Sequence, residues 1–335
     1  MKRISIALAI AGLMLGTLMV AWFGFGPIAK ALLSVGARGF ALYCAWQIAT
    51  MIVLGVGWRA VAPLKHGLRL APFVWGRMVR DSAAACLPFS MVGGFVFGVR
   101  AAALLGVAWT LAALSTVIDL TAEFLAEIAF AVAGFAELLV RAGNRSLTGP
   151  FVGGLIAMLI AGAAVLRWWK GAPALFARLS RRMLGARLQH YLKLESVSEG
   201  DLVRMYGDSG RMALGTAIHF AGWLCKGAGN WIAFRLLGYH VDMMVALAIE
   251  ALLHALLIPA LVVPGYAGVQ EAGYAAIGAL FGIPPEISLA VSLLRRARDI
   301  AIGIPILLLW QGAEVRRLHS DPPGTPGNAG RDDAG

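Results

Sequence analysis

The feature that most constrains this chain is a succession of apolar stretches, each about as long as a bilayer is thick. They cover residues 4–24, 39–60, 109–140, 151–168, 212–237, 241–263 and 284–311. A helix needs about 20 apolar residues to cross the hydrocarbon core of a membrane. Of the 335 residues, 59% are hydrophobic and only 14% charged. A soluble globule of that composition could not cover its surface with polar groups. The sequence therefore predicts an all-α, polytopic integral membrane protein with about seven or eight transmembrane helices. A soluble enzyme and a disordered chain are both excluded.

The net charge of +11 would suggest nucleic acid in a soluble protein. Here the bases gather beside apolar spans, where they set orientation instead. Arg59, Lys65, Arg69, Arg77 and Arg80 read as one basic cytoplasmic loop, and residues 170–211 as a second basic cytoplasmic segment. Lys2 and Arg3 put the N-terminus in the cytoplasm. The apolar run after them exceeds the roughly 7–15 residues of a secretory signal, so it reads as a retained helix. Residues 1–311 are expected to form one transmembrane domain. The tail, 312–335, turns polar and proline-rich from Ser320 and is expected to be disordered. Cys44, Cys86 and Cys225 stand singly in apolar stretches, as small buried hydrophobes do.

Two segments break the pattern. Residues 81–107 are apolar but interrupted by Pro88, Gly93, Gly94 and Gly98, and residues 264–282 are similarly punctuated. Broken backbone at membrane depth survives only where protein or water satisfies its amides, so both are predicted to be re-entrant or discontinuous. One such segment in each half is the arrangement of internally repeated transporters, which build a midplane site from them. The competing explanation is that the glycines permit close helix packing. The sequence leaves both open.

Ionisable side chains inside spans are costly, about 2.5–3.5 kcal/mol each at mid-helix on insertion scales. Asp119, Glu123 and Glu127, four residues apart, share one helix face. Glu271 follows Pro264-Gly265 and lies near the start of a helix expected at about Val269, where a negative charge is favoured. Arg295, Arg298 and Asp299 share a face of the last span, with Arg296 directed elsewhere. Arginines suit a phosphate or carboxylate, which they grip bidentately. Lys226 with Asn230, and Glu250 with His254, are also four apart and read as structural hydrogen bonds between helices. No serine elbow, phosphate loop, dinucleotide fingerprint or metal-ligand set is present. Accordingly no catalytic residue, metal or cofactor is expected.

Arg77-x-x-Arg80-Asp81-Ser82, Leu87-Pro88, Gly93-Gly94 and Gly98-x-Arg100 resemble the first-half motif of the lysylphosphatidylglycerol synthase/flippase-like transmembrane family. Pro264-Gly265-x-x-Gly268-Val269-Gln270-Glu271-Ala272-Gly273 and Ser292-Leu293-Leu294-Arg295-Arg296-Ala297-Arg298-Asp299 resemble its second-half motif. The Gln-Glu and Leu-Leu-Arg-Arg-Ala-Arg-Asp versions are most similar to a bacterial subgroup associated with hopanoid biosynthesis. Tyr266 and Ala267 depart from the Gly-Gly or Gly-Leu commoner there.

The resemblance implies a bacterial inner-membrane protein that binds a lipid and moves it between leaflets, linked to hopanoid or anionic or aminoacyl phospholipid metabolism. Its partners would be membrane lipids and lipid-biosynthesis enzymes, with no nucleic acid. The large soluble aminoacyltransferase domain of full-length synthases is not expected, so an enzyme is not. Arg80, Arg100, Arg295 and Arg298, with Glu271, are the candidate headgroup-binding residues. Asp119, Glu123 and Asp299 are candidates for a polar lining or proton coupling. Two alternatives remain: a scaffold that recruits lipid-synthesis enzymes through residues 170–211, and a membrane-embedded lipid transferase.

Overall fold

A computed structural model describes residues 33–62, 69–87, 90–142, 208–258 and 268–320, with single positions between 153 and 167 and at 263 and 266. The expected first span, the span at 151–168 for the most part, the basic segment 170–207 and residues 321–335 lie outside the described residues.

The described residues are helical: α1 (Gly36–Val61), α2 (Ala71–Cys86), α3 (Ser90–Leu104), α4 (Trp109–Ala142), α5 (Ser209–Leu236), α6 (Met243–Leu257), α7 (Val269–Leu280) and α8 (Pro285–Ser320). Among the described residues α1 is the helix long and apolar enough to span a bilayer, with Arg38 and Arg59 towards its ends. α4 has 34 residues and reaches about 51 Å at 1.5 Å per residue. Its carboxylates Asp119, Glu123 and Glu127 turn inward, Asp119 fully buried and the other two on a cavity between the helices.

α2 and α3 have 16 and 15 residues, and Pro88 lies between them. Proline lacks an amide donor and clashes with the preceding turn, so the chain folds into a helical hairpin. Within the second broken segment the described residues form α7, a short helix of 12 residues that follows the 15-residue α6 in the chain. Two sequence readings need correction. Arg77 and Arg80 are not loop residues: both lie on α2, 2% and 6% exposed, because their charges meet carboxylates on α4. Residues 312–320 are not tail. α8 continues through them to Ser320, and Glu314 there pairs with Arg100 of α3.

The distribution of side chains inverts that of a soluble protein. Leu42, Val140, Leu308 and Leu309 point outward, each more than 60% exposed, while Arg77, Asp119, His219 and Glu250 are at most 2% exposed. A hydrocarbon solvent favours that arrangement. Lipid offers no hydrophobic drive for helix association, so dispersion and close backbone approach hold the bundle. One apolar cluster joins α1 to α4 around Trp58, Phe73, Val99 and Ile118. A larger one centres on α5 to α8, around Phe234, Ile249, Tyr274 and Leu289. Trp58 is fully buried, and its Nε1 donates to Ser115 Oγ at 3.0 Å.

Helix starts follow ordinary capping. Asp208 accepts the Arg211 amide, and Asp242 accepts the Met244 amide. The Met244 amide and then Arg141 hold the Asp242 carboxyl below its ordinary range, so that cap persists at neutral pH and is lost only in acid.

Close approach explains the glycines of the first broken segment. A Cβ on Gly98 would stand 2.9 Å from both the Gly76 carbonyl and Arg80 Cβ, and one on Gly76 would stand 2.8 Å from the Gly98 carbonyl. α2 and α3 therefore touch backbone to backbone. Gly98→Leu is expected to cost about 1–3 kcal/mol by overpacking, read as a lower melting temperature of the detergent-solubilised protein. A melting temperature equal to wild type would contradict this packing.

Candidate functional site

The buried charges form a connected system. On α2, Arg77 donates to Asp81 at 2.8 Å and to both Glu123 oxygens at 2.9 and 2.6 Å. Arg80 donates to Asp119 at 2.8 Å and also to Glu123. Asp119 meets His219 Nε2 of α5 at 2.7 Å. The carboxylate stripe on α4 thus faces an arginine pair one helical turn apart on α2. In the second half, Arg295 of α8 donates to both Glu250 oxygens of α6 at 2.7 and 2.6 Å. Arg296 donates to Glu271 of α7 at 2.8 Å, and Arg298 to Asp299 at 2.7 Å. Arg298 also lies 4.6 Å from the centre of the Tyr43 ring, within cation–π range.

Between the two halves lies a cavity of about 440 Å³ to which all eight helices contribute, the size of a small-molecule site. Arg77, Arg80, Lys226, Arg295, Arg296 and Arg298 line it, facing Asp81, Glu123, Glu127, Glu250 and Asp299. The rest of its wall mixes polar side chains such as Gln47, Asn230 and Gln270 with apolar ones, and Ile258 and Ile300, both over a third exposed, stand at its rim. A charged chamber with an apolar mouth suits an amphiphile.

Most arginine N–H groups are used by carboxylates, but not all. Arg298 spends Nε and Nη2 on Asp299, and its Nη1 makes no protein hydrogen bond among the described residues. Lys226 lies with its Nζ 3.8 Å from the Trp223 ring centre. Among the described residues no carboxylate pairs with it. Those two cations keep donors available to a ligand.

The candidate residues divide. Arg80, Glu123, Arg295, Arg298 and Asp299 line the cavity. Asp119 stands behind Arg80. Glu271 lies behind Arg296, with its other oxygen accepting the Gly268 amide at 2.8 Å, the return half of a capping box. Arg100 lies apart on Glu314. Sequence reasoning undervalued Lys226, Glu250 and His254, and set Arg296 aside. The four-residue spacings on α5 and α6 were the available signal, since each puts two polar groups on one inward face.

α7 is entered through a turn in which Tyr266 has φ 52° and Gly268 φ 75°. The left-handed region is ordinary for glycine and costly for tyrosine. Tyr266 stands in that conformation with its ring on the cavity wall.

The lysylphosphatidylglycerol synthase TM region family matches residues 4–306. The chain belongs to that family. Comparison with curated proteins and with solved structures gave no match. The family and the helical architecture make this a multi-pass membrane protein tied to lipid metabolism. Within this family member, the two motif regions meet at the cavity: Arg77, Arg80 and Asp81 come from the first, and Arg295, Arg296, Arg298 and Asp299 from the second.

Removing one partner of a buried pair strands the other. Arg295→Met should therefore lose about 3–5 kcal/mol of stability, and adding Glu250→Gln should recover most of it. Thermal unfolding of the single and double variants measures this, and equal losses in both would refute it. Tyr266→Gly should relieve the backbone and raise stability by about 1–2 kcal/mol in the same assay. A fall in melting temperature would show that the tyrosine ring contributes more than its backbone costs.

Proposed function

We propose that this protein binds a membrane lipid by its headgroup in the charged cavity and carries it between leaflets. The observation that carries the reading is the cavity itself: cations with unspent donors inside, apolar side chains at the mouth. A phosphate or carboxylate headgroup would be taken by Lys226 Nζ and Arg298 Nη1. Arg80, Arg295 and Arg296, held by their carboxylates, would set the field around it without being drawn out of their pairs. The acyl or polycyclic body would leave past Ile258 and Ile300 and remain in lipid.

An anionic or aminoacyl phospholipid is one cargo this arrangement accommodates. A hopanoid with a polar terminus is the other, supported by the Gln270-Glu271 and Leu293–Asp299 resemblance. Residues 1–311 would act as one unit in a bacterial inner membrane. Lys2, Arg3 and the basic segment 170–211 support an N-terminus in the cytoplasm. Lipid-synthesis enzymes would then be its functional neighbours.

The test is reconstitution of the full chain into phosphatidylcholine vesicles carrying labelled phosphatidylglycerol, labelled phosphatidylcholine or a labelled hopanoid. Wild type should move at least one of these across the bilayer. Lys226→Gln and Arg298→Gln should each slow movement about tenfold, the loss of roughly one charge-assisted hydrogen bond. Failure to bind or move any of the three lipids would sink the proposal.

A further inference from the structure

The arginine-paired carboxylates are poor places to exchange a proton, because protonating any of them strips a buried guanidinium of its partner. Glu127 is different. It lines the cavity one helical turn beyond Glu123, and among the described residues no arginine bonds to it. Its near neighbours are Lys226 of α5 and His254 of α6, whose Nδ1 lies 3.8 Å from Glu127 Oε1.

His254 stands between a donor and an acceptor. Its Nε2 is 3.1 Å from Glu250 Oε1 and 3.3 Å from Arg295 Nη2. A guanidinium only donates and a carboxylate only accepts. With a proton on Nε2 the ring donates to Glu250; without it, the ring accepts from Arg295. Either protonation state is therefore satisfied with no rotation of the ring, which Trp223 holds edge-on at 4.5 Å. The other groups facing this cluster are Glu123 of α4, Tyr266 of the turn before α7, and, more distantly, Arg77 and Asp81 of α2.

We infer that Glu127, His254 and Lys226 form a proton-binding site on the cavity wall, and that an anionic headgroup in the cavity is bound together with a proton. The step needs no other reactant. Hydronium from the aqueous phase gives its proton to the Glu127 carboxylate and leaves as water. The proton rests on Glu127, with His254 Nδ1 3.8 Å away as the nearest base and Lys226 opposing the carboxylate charge when the proton leaves. The headgroup adds a negative charge beside this cluster, which favours the protonated state, so headgroup and proton assist each other's binding. The coupling rests on the lipid-binding reading above; the proton site does not.

The experiment is infrared difference spectroscopy of the full chain in phosphatidylcholine nanodiscs across a pH titration, with and without phosphatidylglycerol. A protonated-carboxyl band should grow as the pH falls and be missing from Glu127→Gln. Lys226→Met, which removes the opposing charge, should move the midpoint of that band up by about one pH unit or more. Phosphatidylglycerol should also move it up in wild type. A band unchanged in Glu127→Gln, or an unmoved midpoint in Lys226→Met, overturns the proton site. A band that behaves as expected but ignores bound phosphatidylglycerol overturns the coupling alone. If phosphatidylglycerol does not bind at any pH while the band behaves as expected, the cargo reading and its coupling fall and the proton site stands.

Discussion

The structure depends on the pairing of arginine with carboxylate inside a shell of apolar side chains. A single charge at mid-bilayer works against insertion by a few kcal/mol, and this chain places many of them there. They are accommodated because the buried arginines among the described residues meet acids: Arg77, Arg80, Arg295 and Arg296 across helices, and Arg298 its neighbour Asp299. Arg77 and Arg80 tie α2 to α4, Arg295 ties α8 to α6, and Arg296 ties α8 to α7. Lipid supplies no hydrophobic force between helices, so these pairs and the glycine contacts decide which helices meet.

The same pairing explains how a charged chamber survives. A buried pair gains little over a well-packed apolar one, so stability alone does not account for so many. What the pairs do is hold guanidinium groups in fixed positions around an open volume, at full charge and without large rearrangement. The two broken segments serve that arrangement. α2, α3, α6 and α7 are short helices, and each contributes side chains to the cavity. Gly98 of the first segment does the packing, against the backbone of Gly76 on α2. Close packing and a broken backbone are thus not alternatives here, since one segment does both.

Much of the fold was legible because its signals are local. Span positions follow from runs of apolar residues, the α2–α3 break from Pro88, and the start of α7 from the Pro-Gly turn ahead of Val269. Candidate site residues were legible for the same reason: an arginine in an apolar run announces itself. Arg77 and Arg80 were misplaced because proximity to Arg59 and Lys65 resembles a basic loop, and only their distant partners Asp119 and Glu123 reveal otherwise. Arg296 was set aside by helical phase on α8, but a long side chain reaches across that phase to Glu271. Residues 312–320 looked like tail because they are polar, yet Glu314 is held by Arg100 from far along the chain.

What the sequence determined by itself was the solvent of this protein and the inventory of charges that solvent makes expensive. Both are properties of short stretches, since a helix of apolar residues seeks hydrocarbon whatever surrounds it. Which charge answers which, and that the answers enclose a chamber instead of a dry core, was decided by tertiary structure alone. Ion pairs between helices depend on Ångström distances across residues far apart in the chain. No spacing within one helix encodes them.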